Sequence, residues 1–184
     1  MSGKLILVRH SAPQIVAGTP QNRWSLSPQG VAAAHALALR LRSFETPSVW
    51  SSPEPKALQT AAAVAAALGR PVREEPDLRE HDRASLGYLA REELEAGVAS
   101  LLASDDELVF GHESARTVFS RMDRALQAAH SAAAGADVVA VTHGTAAAIF
   151  VSRRCGVDAL AFWRALGVPA AIILDGARLE RVLQ

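Results

Sequence analysis

The sequence has few of the features that mark secreted, membrane or nucleic-acid-binding proteins. It holds one cysteine in 184 residues, so no disulfide can form within the chain, as is typical of a reducing cytosol. Its 19 basic and 19 acidic residues cancel, so the global charge attracts neither nucleic acid nor an anionic membrane. No apolar run approaches the ~20 residues of a membrane span. We therefore expect a cytoplasmic protein with no nucleic acid or membrane partner.

Motifs for metals, nucleotides and serine nucleophiles are also absent from the sequence. His112 and Glu113 are not followed by a histidine at the helical spacing of a zinc site. There is no Gly-x-Gly-x-x-Gly or P-loop lysine motif, and Gly144 does not belong to a serine-hydrolase elbow. We therefore expect neither a metal nor a cofactor.

What remains has the composition of an ordinary globular protein. Apolar residues make up 49% of the chain and charged residues 21%. A chain of this composition is too hydrophobic to be disordered. A chain of this length buries roughly 70% of the surface that its unfolded form exposes. We predict a single domain over residues 1–184.

Strand-like and helix-like segments alternate along the chain. Apolar, β-rich runs predict strands at 4–8, 48–52 and 138–141, with a short strand in "RPVREE" and closing strands "AAIIL" and "LERVL". Helical spacing predicts helices at 31–42, 56–68, 91–103, 114–132 and from Thr145 onward. This alternation predicts an α/β fold with three α/β/α layers, a mainly parallel central sheet and an antiparallel edge strand.

Polar and cationic residues stand directly after the apolar strands. They are Arg9 and His10, Ser51 and Ser52 with Lys56 close behind, and Thr142, His143 and Gly144. Ligands of parallel sheets bind beyond the carboxyl ends of the strands, so these residues should lie on one rim. Several cationic groups on one rim would repel one another in an empty site, which favours a compact polyanion such as a phosphoryl group as ligand.

Five motifs together resemble one known family. The stretches "LVRHSAP", "SSPEPKALQTA", "LREH", "GHES" and "VTHG" occur in the order found in the histidine phosphatase superfamily, also called phosphoglycerate mutase-like. The resemblance extends from residue 4 to about residue 150. Each motif is weak alone, and the ordered set is specific. The resemblance implies a phosphoglycerate mutase-like fold and phosphoryl-transfer chemistry.

The resemblance also implies a role for each matching residue. His10 would attack phosphorus and form a transient phosphohistidine. Glu80 would protonate the leaving oxygen and then take a proton from the attacking water. The groups implied to hold the phosphoryl oxygens are Arg9, Lys56, His143 and a backbone N–H near Gly144, with His143 counted as catalytic as well. A neutral His10 and a protonated Glu80 together predict a bell-shaped pH profile on the acidic side of neutrality.

Two departures from the family pattern affect the expected catalytic efficiency. Lys56 stands where the family usually has an arginine, and lysine lacks the planar fork that binds two phosphate oxygens. The segment Ser11-Ala12-Pro13 replaces the common Gly-Glu-Thr. A weakly active or non-catalytic phosphate-binding module is therefore an alternative to the enzyme.

The favoured interpretation is a metal-independent phosphatase that hydrolyses small phosphomonoesters to inorganic phosphate. A phosphoglycerate-type mutase is the second alternative, although the chain is short between the acid motif and the following helices. His81, Arg83 and Arg116 are candidates for a second anionic group, with solvated surface residues as the simpler interpretation. Apolar residues 162–174 fit either the core or a homodimer interface, and we favour the core.

Overall fold

The computed structural model describes residues 3–184 and contains one six-stranded sheet. Its strands are β1 (Leu5–Arg9), β2 (Val49–Ser51), β3 (Val72–Glu74), β4 (Val138–Thr142), β5 (Ala170–Asp175) and β6 (Arg178–Leu183). They lie in the order β3-β2-β4-β1-β5-β6. The first four strands run parallel, and β5 and β6 pair antiparallel at one edge. The predicted mixed sheet is therefore confirmed.

Helices cover both faces of this sheet. They are α1 (Pro28–Arg40), α2 (Pro55–Leu68), α3 (Arg91–Ala103), α4 (Ala115–Ala133), α5 (Gly144–Cys155) and α6 (Ala159–Ala165), with short 3-10 helices at Gln21–Arg23, Pro76–Leu78 and Ala84–Leu86. Alternate residues of a strand point to opposite faces. Leu5 and Leu7 accordingly pack on the side of α3 to α6, while Ile6 and Val8 pack on the side of α1 and α2. This arrangement confirms the three-layer fold.

Local signals explain where the helices begin and end. The hydroxyl of Ser27 accepts a hydrogen bond from the Gly30 N–H, and α1 begins at Pro28. Ser27 and Pro28 are the N-cap and first helical residue that the sequence predicts. Gly69 ends α2 with a φ of +63°, a conformation that glycine adopts without steric cost. The prediction missed α6, because a seven-residue helix is too short to show a clear period.

The apolar segment 162–174 contributes to the core mainly through its carboxyl-terminal part. Residues 170–174 of β5 are buried, whereas Phe162 and Trp163 of α6 are only half-buried. The homodimer stays a prediction, because no partner chain is present. Within residues 3–184, none of the helices has the length and apolarity of a membrane span.

Candidate active site

The carboxyl ends of three parallel strands bring two histidines together. The His10 N–H donates to the Thr142 carbonyl at 2.9 Å, and the Ser52 N–H donates to the Val141 carbonyl at 3.0 Å. The ring centroids of His10 and His143 lie 5.0 Å apart, and Nε2 of His143 lies 2.8 Å from the Ser52 hydroxyl. We call this side of the site the strand wall. It consists of Arg9, His10, Ser52 and His143.

The hydrogen bond of His10 defines which ring nitrogen is free. Nδ1 lies 2.7 Å from the carbonyl oxygen of Ser11. A carbonyl can only accept, so Nδ1 carries the proton and Nε2 keeps its lone pair. The lone pair is available because burial, followed by the charges of Lys56 and Arg9, lowers the pKa of His10 to about 3. His10 is therefore neutral at physiological pH, as a nucleophile requires.

His143 is also held neutral. Burial is the main cause that lowers the pKa of His143, and the proximity of His10 adds to it. Nδ1 of His143 is buried and has no partner among the described residues. The site thus offers an uncommitted polar atom next to the neutral His10.

Arg9 is packed tightly against the start of α5. Its Nη1 donates to the Leu166 carbonyl at 2.6 Å, while its buried Nε has no partner in the part of the chain that the structure describes. A Cβ on Gly144 would lie 2.9 Å from Cζ and Nε of Arg9. The absence of a Cβ on Gly144 therefore accommodates the guanidinium of Arg9. Phosphate binding by a backbone N–H near Gly144 stays a prediction.

Lys56 lies in the site, but other groups already engage its ammonium. Nζ donates to Glu54 Oε2 at 2.5 Å and to the Gln21 carbonyl at 2.9 Å. The other oxygen of Glu54 accepts from the Glu80 N–H at 3.0 Å and lies 3.4 Å from Nε2 of His143. Glu54 thus pairs with the Lys56 ammonium in the ligand-free site. The role of Lys56 in phosphate binding stays a prediction.

The opposite side of the site is a segment with little regular structure, residues 76–87, which we call the loop wall. Its Glu80 carboxylate accepts from the N–H groups of His81 and Ala146, both at 2.9 Å, and of Thr145 at 3.2 Å. Nη2 of Arg83 adds a longer contact at 3.4 Å. Glu80 thus binds the N-terminus of α5, where backbone N–H groups and the helix dipole stabilise negative charge.

This environment changes the expected protonation state of Glu80. Burial acts to raise the pKa of Glu80, but the charge of Arg83, the proximity of His143 and the backbone N–H donors together hold it well below its usual value. Glu80 is therefore a carboxylate in the ligand-free site. The expectation that Glu80 is protonated at the start of phosphoryl transfer concerns the substrate-bound state and stays a prediction.

A buried ion pair holds the loop wall in place. Arg121 and Glu113 are 3% and 4% exposed, and Arg121 Nε and Nη2 donate to the two Glu113 oxygens at 2.7 and 2.9 Å. The remaining Arg121 donors reach the carbonyls of Asp77, Arg79 and Glu80 at 2.6 to 3.1 Å. The Glu113 carboxylate thereby anchors Arg121.

The two walls enclose a cavity of about 310 Å³. Arg9, His10, Lys56, Glu80 and Gly144 line it, so the cavity contains every predicted site residue except the fully buried His143 beneath it. Trp24, Leu94 and Trp163 contribute apolar surface to the cavity lining, and Arg79 and Arg83 contribute cationic groups.

The three residues considered for a second anionic group have different surroundings. Arg83 lines the cavity and is 9% exposed. His81 lines it as well, but Nε2 donates to the Glu113 carbonyl at 2.7 Å and the ring stacks on Phe110. Arg116 pairs with Asp106 on the surface, as the simpler interpretation predicted. Within residues 3–184, no three His, Cys, Asp or Glu side chains converge as metal ligands would.

The chain belongs to the histidine phosphatase superfamily (branch 1), whose family model matches residues 5–174. The resemblance inferred from the five motifs is thereby confirmed. Among curated protein sequences, none matches the chain.

Several solved structures share the fold over nearly the whole chain. YhfR of Bacillus stearothermophilus is 20% identical, with a TM-score of 0.74 over 97% of this chain and 95% of that one. A mycobacterial glucosyl-3-phosphoglycerate phosphatase is 23% identical, with a TM-score of 0.70 over 93% and 91%. A structure described as mycobacterial hydrolase 1 is 23% identical, with a TM-score of 0.71 over 94% and 92%.

Sequence reasoning missed Glu54 and Arg121, although each leaves a signal in the chain. Glu54 stands between Pro53 and Pro55, two residues before Lys56. Arg121 lies on the apolar face of α4, three residues after Val118 and next to Met122. A charged residue on an apolar helix face predicts a buried partner. The identity of that partner depends on which loop packs there.

Proposed function

We propose that the protein is a phosphatase that hydrolyses small phosphomonoesters through a phosphohistidine on Nε2 of His10. One observation carries the proposal. The Nδ1 proton of His10 is bound by the Ser11 carbonyl, so a neutral imidazole presents its Nε2 lone pair at the base of a cavity lined by arginines. Membership of the histidine phosphatase superfamily supports the same chemistry.

In the first step, Nε2 of His10 forms a bond to phosphorus as the bond from phosphorus to the leaving oxygen breaks. Charge on the three non-bridging oxygens is stabilised by cationic donors, of which the unpartnered Nε of Arg9 is one. The leaving alcohol takes a proton from Glu80. A bound phosphoryl dianion raises the pKa of this carboxylate by like-charge repulsion, which enables Glu80 to take up that proton.

In the second step, water attacks the phosphohistidine and the N–P bond breaks, releasing inorganic phosphate. Glu80, now a carboxylate, accepts the proton of the attacking water. Nε2 regains its lone pair and the cycle closes. Neither step needs a metal ion or an organic cofactor.

The nature of the substrate follows from the size and lining of the cavity. A volume of about 310 Å³ suits a phosphoryl group with a small leaving group, and Trp24, Leu94 and Trp163 supply apolar contacts for the latter. The mycobacterial glucosyl-3-phosphoglycerate phosphatase has been solved with VO3 and with inorganic phosphate, which are compact anions of the expected class.

The decisive experiment is to trap the phosphoenzyme. Brief incubation with a ³²P-labelled phosphomonoester should give an acid-labile labelled protein, and His10→Ala should abolish both the label and hydrolysis of a chromogenic substrate. His35→Ala, on the exposed side of α1, is the matched control and should retain both. Activity should survive a strong chelator. Turnover by His10→Ala would refute the proposal.

A phosphate-binding module without turnover is the second candidate, favoured by the engagement of Lys56 with Glu54. It predicts phosphate binding by the wild-type protein with neither label nor product. Transfer of the label to a second hydroxyl of the substrate, rather than to water, would identify a mutase.

A further inference from the structure

Arg83 has donors that the protein itself barely uses. It is 9% exposed, yet its two contacts are long, at 3.3 Å from Nη1 to the Thr145 hydroxyl and 3.4 Å from Nη2 to Glu80 Oε2. Charge-assisted bonds of this kind are normally roughly 2.7–2.9 Å. Nε is buried without any partner among the described residues. Burying a guanidinium whose N–H donors lack hydrogen-bond partners costs free energy, unless a ligand accepts those hydrogen bonds.

These donors lie beside the reacting centre. Arg83 contacts Thr145, and Arg9 packs on the adjacent Gly144, so two guanidiniums flank the first turn of α5. Both line the cavity that holds His10. The pKa of Arg9 is lowered first by burial and also by the charge of Arg83, against the opposing effect of Glu80, as expected for two neighbouring cations.

The other cationic groups of the cavity are already occupied. Lys56 donates to Glu54 and to the Gln21 carbonyl. Arg79 is largely on the surface and donates to Asp77 and Glu113. Among the residues that the structure describes, Arg83 is therefore the second guanidinium able to bind a ligand in this cavity without first breaking a short ion pair.

We propose that Arg83 is the forked phosphoryl ligand of this site, using Nε and one Nη to bind two oxygens of the group transferred to His10. This assignment rests on the proposed function. It supplies the planar fork that Lys56 lacks. The ring of Phe110, 5.9 Å from Cζ, supports the guanidinium in place. When Arg83 turns from Glu80 to the phosphoryl group, Glu80 loses the largest influence that holds its pKa down, which favours its protonation.

The test is the affinity of the whole protein for orthovanadate, measured by titration calorimetry, with kcat/KM for a chromogenic phosphomonoester measured beside it. Arg83→Met keeps the side-chain length over Phe110 and removes the fork. It should weaken vanadate binding about tenfold to a hundredfold and lower kcat/KM at least as much. Arg83→Lys should recover only part of the loss. Arg124→Met, an exposed arginine outside the cavity lining, is the matched control and should change the affinity less than about threefold.

A second background separates direct binding from an effect through Glu80. In Glu80→Gln, Arg83→Met should still weaken vanadate binding about tenfold or more. No further loss in that background would show that Arg83 acts only by positioning Glu80 and would overturn the assignment. If circular dichroism shows that Arg83→Met is unfolded, the vanadate affinities of Arg83→Lys and Arg83→Gln are compared with that of the wild type instead.

Different experimental outcomes would refute the role of Arg83 and the proposed function. A wild-type protein that neither binds vanadate nor hydrolyses phosphomonoesters refutes both. A wild-type protein that does both, while Arg83→Met keeps its vanadate affinity, refutes only the role of Arg83. An equal loss in Arg83→Met and Arg124→Met would reduce the role of Arg83 to a general positive potential.

Discussion

The two walls of the site are positioned by different kinds of interaction. The strand wall follows from the sheet, since backbone hydrogen bonds to the Thr142 and Val141 carbonyls place His10 and Ser52. The loop wall has little regular structure of its own, and Arg121 holds it by binding three of its carbonyls. Side-chain substitutions should therefore disturb the loop wall far more easily than the strand wall. The predictions below test that difference.

The largest effect is expected from removing the anchor of the loop wall. Arg121→Met leaves the Glu113 carboxylate buried without its main partner, which should lower the free energy of unfolding by about 3 kcal/mol or more. It should also lower kcat/KM, because Glu80 loses its support. Urea denaturation and steady-state kinetics measure the two effects. The matched control is Arg124→Met, an exposed arginine on the same helix, which should change the stability by less than about 0.5 kcal/mol. Equal losses in the two variants would contradict the comparison.

The next effect concerns the strand wall and pH. The pKa of His10 is about 3 in the folded state, well below its ordinary value. Between these two pKa values, the imidazole is protonated in the unfolded chain and neutral in the folded protein. Stability is then full above about pH 6.5 and falls as the pH drops toward 3, by at most about 1.4 kcal/mol per pH unit for this group. In His10→Asn the loss between pH 6.5 and 4 should be smaller by about 3 kcal/mol. Urea denaturation at the two pH values measures it, and His35→Asn should behave as wild type.

A smaller effect is expected at the contact between Arg9 and α5. In Gly144→Ala the new Cβ would meet the guanidinium of Arg9, which is tied to the Leu166 carbonyl and must shift. We expect kcat/KM to fall about tenfold or more, because displaced phosphoryl ligands lose transition-state contacts. The thermal midpoint should hardly change, since alanine favours the helix. Unaltered kinetics would show that Arg9 needs no such packing.

The smallest effect is expected at the cap of the helix that carries Arg121. The Ser114 hydroxyl accepts from the Thr117 N–H at 3.2 Å. Ser114→Ala should cost about 1 kcal/mol of stability in urea denaturation, as the loss of an N-cap usually does. The substitution should leave kcat/KM unchanged, because Arg121 lies two turns further along α4. A large kinetic effect would mean that the loop wall is more fragile than its contacts indicate.

Much of the strand wall could be predicted from the sequence. The runs "LILV" and "VVAV" are apolar on both faces, which is the pattern of central parallel strands, and the residues after them must then share one rim. The strand ends, the rim and the family followed from this local pattern and the five motifs. The catalytic roles of His10, Glu80 and His143 remain proposals.

The loop wall could not be predicted in the same way, because its contacts join residues far apart in the chain. Arg121 reaches the Asp77 carbonyl across 44 positions, and the Glu80 carboxylate reaches the Ala146 N–H across 66. The hydrophobic periodicity of the sequence carries no information about such a contact. The carboxylate state of Glu80 in the ligand-free site could not be predicted for the same reason, since its low pKa depends on Arg83 and on the start of α5.

The sequence by itself determined the layered fold, the positions of the buried strands and the residues that end them, because apolar period and helix caps are local properties. Only the tertiary structure decided which donors stay free. Folding pairs Glu54 with Lys56 and leaves Nε of Arg83 without a partner among the described residues, in the cavity that His10 also lines. The availability of a charge depends on its nearest partner in space, and a buried partner can come from any part of the chain.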